Sequence, residues 1–371
     1  MSGPETVGPV AHNDLLGRAT RTGSWAEQAV STHRLVEEAV AVGRDADAAE
    51  LAGYSLVEMA EPVLLFPTFF ESSRRFLIRE GVPEPELAAA SIRFEQRAIA
   101  AGAAPIDLVE SWRSYEGAVA RFVTACANGH AADAIAGYLH GLHQWRLAHD
   151  WACNRVYLYA ELCAQYLGED RVGDFWDELM RDIYPSRDRF GTDRAAWSES
   201  VEILSIDTAE TFRGHLSGPG RLGDIEISDE PDRIVFSFSP CGTGGRTFLE
   251  HRDDESVGGG DVTMGDPERF GVTTSPHDWS WSKTGVCLYC VHCCQLQERI
   301  PIRRLGYPLR VIDPPVWPEA LAEGRCTWTI YKDLSQIPAE AYERVGETKP
   351  AILGAQPSIG SPARPDDRSS P

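Results

Sequence analysis

The chain contains no apolar run long enough to cross a bilayer. Its longest, such as "PVLLFPTFF" at 62–70, is short and interrupted by proline, whereas a membrane helix needs about 20 consecutive apolar residues. Basic side chains are scarce: 35 Lys and Arg against 56 Asp and Glu leave a formal charge of −21. Acidic and basic side chains balance in residues 1–24, two of each, and in 347–371, three of each, so the body of the chain carries the negative balance. Such a surface repels phosphate backbones and anionic lipid, which argues against nucleic-acid and membrane-surface partners. The opening residues "MSGPETVGPVAHND" show neither a basic n-region nor an apolar h-region, so no secretory leader is expected and a cytoplasmic location is. Thiols stay reduced there, and an odd total of nine cysteines suits a disulfide framework poorly.

Several motifs are missing. "CGTGGR" at 241–246 lacks the Lys-Ser/Thr of a P-loop, so nucleotide binding is unsupported. No Glu-x-x-His pair marks a di-iron bundle. No second, separate CxxC completes a zinc ribbon, and the ferredoxin run C-x2-C-x2-C-x3-C-P is not matched.

With 43% hydrophobic residues over 371 positions, a sizeable core is expected. The fold class expected is α+β: an all-α helical bundle followed by a smaller α+β domain with a mainly antiparallel sheet and a Cys-rich metal site. Residues 1–24 read as a flexible arm, 25–188 as the bundle, 189–347 as the α+β domain and 348–371, rich in proline, serine and charge, as a disordered tail. Within the bundle, apolar residues recur at three- and four-residue steps over 24–43, over 47–60 up to Pro62, over 83–102, over 105–129, and from 131 to about 168. A short helix follows over 171–184. Beyond 198 the period changes to alternation: "SVEILSID", "DIEIS", "DRIVFSFS", "YPLRVID" and "CTWTIYKD" read as strands. The second and third pair as a hairpin across "DEPD". The Gly- and Asp-rich stretch 251–268 reads as an acidic loop, and 286–299 as a helix beginning after Gly285.

The chemistry concentrates in "GVCLYCVHCC", residues 285–294. Cys287-x-x-Cys290 and Cys290-x-x-Cys293 are overlapping CxxC pairs, and a three-residue step lets two thiolates converge on one ion. Thiolates are soft ligands that suit zinc or an iron–sulfur cluster. The remaining ligands must come from isolated residues, so the expected set is Cys241, Cys290, Cys293 and Cys326, with Cys287 and Cys294 in reserve. Cys126, Cys153 and Cys163 sit alone on apolar helical faces and read as core.

Around the cluster, His292 is the candidate acid/base or outer-sphere group. Arg246, after the glycine turn, is the candidate anion clamp. Arg303 and Arg304 are candidate substrate contacts, as are His143 and His149 on the helix "YLHGLHQWRLAHDWACNRVY". The leading expectation is a thiolate-ligated zinc enzyme performing hydrolytic or lyase chemistry on a small anionic metabolite. Two alternatives stay open: a non-enzymatic sensor in which zinc is structural, and an iron–sulfur or thiol redox protein. Oligomeric state has no signature in the chain.

Overall fold

A computed structural model describes residues 8–100, 106–246, 271–317 and 324–351. The chain enters through an antiparallel hairpin, β1 (Val10–Asn13) and β2 (Arg18–Arg21), where the sequence predicts a loose arm. Arg21 explains the order: buried, it donates to the carbonyls of Val30 and Glu27, both at 2.7 Å, and to Thr32 Oγ1 at 3.0 Å. Residues 1–7, most of the tail (352–371) and the acidic stretch 251–268 lie outside the described residues.

The single helix expected over 24–43 is two, α1 (Trp25–Ala29) and α2 (Thr32–Ala41). Ser24 forms a capping box with Glu27, and Ser31 accepts from the backbone N–H groups of His33 and Arg34. Two serines that prefer caps to helix interiors set two starts. Then come α3 (Asp45–Arg79), α4 (Glu84–Ala100), α5 (Leu108–Ala127), α6 (Ala131–Leu167), α7 (Val172–Met180) and α8 (Tyr184–Arg187). No helix among the described residues is long and apolar enough to cross a membrane.

Helix α3 does not stop before Pro62. It runs through Pro62 and Pro67 to Arg79. A proline in a helix deprives the carbonyl four residues back of its donor, here that of Glu58. The terminal turn of α9 (Trp197–Gly214) rests on this carbonyl: a Cβ at Gly214 would lie 2.1 Å from Glu58 O. Tertiary packing thus overrides the breaker.

Helix α9 also replaces the strand expected from "SVEILSID". Val201, Leu204, Thr208 and Phe212 are its buried residues at three- and four-residue steps, a helical face that a seven- or eight-residue window cannot tell from alternation.

The main sheet has four antiparallel strands in the order β3 (Glu226–Asp229), β4 (Arg233–Phe238), β6 (Cys326–Tyr331), β5 (Val311–Asp313). The hairpin across "DEPD" forms as expected. The register sets Phe236 opposite Trp328 and Phe238 opposite Cys326. Ile234, Phe236 and Phe238 alternate inward, and Phe212 of α9 packs on Phe238 with the rings tilted and meets Trp328 edge to face, with ring centroids 3.9 and 4.7 Å apart. The helix therefore roofs the sheet.

The cysteine segment becomes helical at α10 (Val291–Cys294), later than its glycine suggests, passes through a π turn (Gln295–Arg299) and ends in α11 (Ile300–Leu305). Pro301 frees the Gln297 carbonyl, which accepts from Leu309 N at 3.0 Å. Glu298, in the same turn, is buried and accepts from Trp281 Nε1 at 2.7 Å, Ile312 N at 2.7 Å and Arg344 Nη2 at 2.8 Å. A short α12 (Glu340–Glu343) follows the sheet.

Among the described residues, the buried apolar side chains form two clusters. One fills the helices α2–α7 and includes Trp279, Cys287, Leu288 and Tyr289. The other lies between α9 and the sheet and includes Cys241, Cys294 and Cys326. Cys290 packs against both. The described chain is mixed helix and small antiparallel sheet, as expected for α+β.

Candidate functional site: thiols and histidines between two cores

Five of the cysteines collect along the seam between the two cores. Cys241 opens the turn after β4, and Cys326 begins β6. Cys287, Cys290 and Cys293 step along the loop and first turn of α10. The glycine turn is pressed onto them: a Cβ at Gly244 would lie 2.8 Å from Cys290 Sγ and 3.4 Å from Cys287 Sγ. Only a residue without a side chain allows the turn to approach so closely.

The thiols sense one another. Burial pushes the Cys287 thiol up, but hydrogen bonds from the Cys290 thiol, from the Cys290 and Tyr289 backbone N–H groups and from Tyr157 outweigh it and bring it below the ordinary thiol value. Cys290 moves the opposite way, raised by that same bond to Cys287, by burial, and by Cys287, Cys293 and Cys241. Burial raises Cys293, and Cys241 and Cys326 raise it further. Cys326 is raised by burial and by Cys241. Sulfurs from three separated stretches of chain are therefore electrostatic neighbours.

Cys294 adds to the upward shift of Cys293, but its own thiol is turned to the Asp278 carbonyl at 3.7 Å, because consecutive helical residues point about 100° apart. Among the described residues, no three His, Cys, Asp or Glu side chains already stand together as a group able to hold a metal ion.

His292 donates through Nδ1 to the Tyr289 carbonyl at 2.6 Å and turns Nε2 to Cys293 Sγ at 3.3 Å. Its ring is enclosed by Tyr289 and Trp176, at centroid distances of 4.9 and 5.2 Å. Burial pushes its pKa down to about 4, although the Tyr289 bond opposes the shift. At neutral pH the ring is uncharged, and Nε2 accepts the Cys293 thiol proton.

Beside the thiols lies a buried polar network that the sequence indicated only through His149 and Arg246. His149 has no exposed surface, and Asp150 is 4% exposed. His149 Nδ1 donates to Asp150 Oδ1 at 2.8 Å, and His149 Nε2 lies 2.8 Å from His215 Nδ1. Cys153 Sγ approaches the same Nε2 at 3.6 Å and the Tyr289 hydroxyl at 3.9 Å. Arg221 donates to Asp150 Oδ1 at 2.7 Å, and Arg246 Nε lies 3.3 Å from that oxygen. Burial works against the Asp150 charge, yet Arg221, Arg246 and His149 together hold its pKa far below the usual carboxylate range. Burial lowers His149 and His215, and the arginines reinforce the shift in His149.

Arg246 thus ties the cysteine turn to α6, where it also donates to Asn154 Oδ1 at 2.6 Å and to the Asp150 carbonyl at 2.9 Å. These partners are internal and differ from the ligand anion expected of it. His143 lines an open cleft of about 200 Å³ with Arg146, Arg221, Glu37 and Leu222, and Arg221 separates that cleft from Asp150. His149 is in the buried network and does not line the cleft. Arg303 and Arg304, both on α11, pair with Glu347 at 2.6 Å and with Asp188 at 2.8 Å, so their partners are internal.

Sequence reasoning missed His215, Asp150 and Arg221. The adjacency of His149 and Asp150 was a visible signal; His215 and Arg221 carried none, lying just beyond the segment read as a strand. No protein-family model, no curated protein and no solved structure matches this chain.

Proposed function

We propose that the chain is a thiolate-metal protein whose centre draws on Cys241, Cys287, Cys290, Cys293 and Cys326. The observation that carries this reading is the close seat of the Cys241 turn on the CxxC segment, where a Cβ at Gly244 would lie 2.8 Å from Cys290 Sγ and 3.4 Å from Cys287 Sγ; the upward shifts of Cys290, Cys293 and Cys326, to which Cys241 contributes, support it. Packed together, thiols oppose one another's ionisation; a soft divalent cation would replace their protons and convert that repulsion into binding. The donor set fits zinc chemically. Side-chain rotation is needed to close it, since no three ligands stand ready among the described residues.

Zinc bound there would supply Lewis acidity for hydrolytic or lyase chemistry. His292 would then act as an acid/base group beside Cys293, and the cleft with Arg146 and Arg221 suits a small anionic molecule. The test is the metal content of the purified full chain, followed by cobalt substitution. One equivalent of zinc and a thiolate-to-cobalt spectrum that changes with added carboxylates support the enzyme reading. Absence of stoichiometric metal overturns it.

One observation favours a second reading. The Cys287–Cys290 hydrogen bond, with Cys287 lowered and Cys290 raised, is the arrangement of a redox dithiol, in which two thiols yield two protons and two electrons to a disulfide acceptor. Metal-free protein in which mild oxidation links Cys287 to Cys290 would establish it instead.

A further inference from the structure

The network beside the thiols has a direction. Asp150 is ionised, so His149 Nδ1 must carry the proton it donates at 2.8 Å. The other nitrogen of a neutral imidazole is then an acceptor, and His149 Nε2 receives the proton of His215 Nδ1, also at 2.8 Å. By the same logic His215 Nε2 is left with the lone pair. Burial relaxes along this line: His149 is fully buried, whereas His215 is partly exposed. The cysteine turn rests on His215, since a Cβ at Gly242 would lie 2.0 Å from its carbonyl oxygen.

We infer that His215 is a second proton acceptor of this site, beside His292, presented by Asp150 through His149, the last two being positioning residues. The assignment rests on the site reading above for what is deprotonated, but the relay itself needs no metal. When His215 Nε2 takes a proton, its Nδ1 proton passes to His149 Nε2, and the positive charge comes to rest against the Asp150 carboxylate. Loss of the proton reverses both transfers. The groups facing the relay are Asp150, His149 and Cys153 from α6, Arg221 from the loop after α9, Arg246 from the turn after β4, and His292 from α10. The two arginines oppose a resting positive charge on the rings, which keeps the acceptor free until it is used.

The test is 15N NMR of the full chain labelled at histidine, with His149 and His215 assigned by His149→Gln and His215→Gln. At pH 7 both rings are expected neutral and protonated on Nδ1. An Nε2-protonated ring at either position, or an imidazolium, overturns the relay. In Asp150→Asn, both tautomers are expected to become mixed. Where that variant does not fold, His149→Leu is expected to release His215 toward the Nε2-protonated form. An unchanged His215 tautomer in the folded variant overturns the positioning role. Metal content measured on the same samples tests the thiolate centre separately, so either assignment can fail alone.

Discussion

Arg246 Nε lies 3.3 Å from Asp150 Oδ1, so a residue eight positions beyond the end of β4 is ion-paired, fully buried, to the middle of α6. The pair joins the turn that carries Cys241 to the helix that carries His149. Removing Arg246 leaves Asp150 buried with Arg221 and His149 as its remaining partners, which costs about 1–3 kcal/mol. Arg246→Met is therefore expected to lower the urea midpoint strongly without changing the slope. A midpoint within error of the parent would show that the pair is not a structural tie.

Gly244 is the second lever. An alanine there places a methyl carbon 2.8 Å from Cys290 Sγ and 3.2 Å from Tyr289 Cδ1, so the Cys290 side chain must move. Gly244→Ala is expected to destabilise by about 1–3 kcal/mol and to make one more thiol react quickly with a chromogenic disulfide reagent. Unaltered thiol kinetics would mean that the turn does not press on the cysteines in solution.

The seat of α9 on α3 gives a third. Alanine at Gly214 meets backbone at 2.1 Å, whereas nothing lies within 4 Å of the Cβ position of Gly53 in the middle of α3. Gly214→Ala is expected to destabilise by at least about 1–3 kcal/mol, and Gly53→Ala to stabilise by roughly 0.5–1 kcal/mol. Thermal melts of the two variants should shift in opposite directions.

Acid sensitivity follows from His33. Its Nδ1 meets the Tyr138 hydroxyl at 2.6 Å, and burial, aided by Arg21, pushes its pKa down to about 3. The unfolded chain binds this proton near pH 6.5 and the folded chain only near pH 3. Stability is thus fully present above pH 6.5 and lost as pH falls toward 3, by about 1.4 kcal/mol per pH unit for a single group. His292, pushed down to about 4, adds to the loss in the same direction. His33→Gln is expected to flatten the stability-versus-pH curve between pH 6.5 and 4 by one proton. An identical slope would remove His33 as its source.

Much of the fold was legible. The long helices announce themselves through apolar steps, and the β3–β4 hairpin through alternation flanking a turn. Pro62 and "SVEILSID" misled for the same reason: a local pattern was weighed without the surface that would meet it. Gly214 covers the carbonyl that Pro62 frees, and the sheet supplies the apolar partner that lets 197–214 be a helix. In the site, the grouping of Cys287, Cys290 and Cys293 was readable from spacing. Their pairing with Gly244 and the turning of the Cys294 thiol to the Asp278 carbonyl were not, because both depend on where the backbone turns.

The sequence by itself determined the chemistry available: thiols at CxxC spacing, a histidine among them, and an acidic body. Those properties are local, set by residue type and by neighbours along the chain. Only the tertiary structure decided which of these groups meet. Cys241 with Arg246, His215 with Arg221, Cys326 and His149 come from separate stretches of the chain, and the packing of two apolar cores against each other brings them to one seam. There, with little water to screen them, charges and protons on one group are felt by the next.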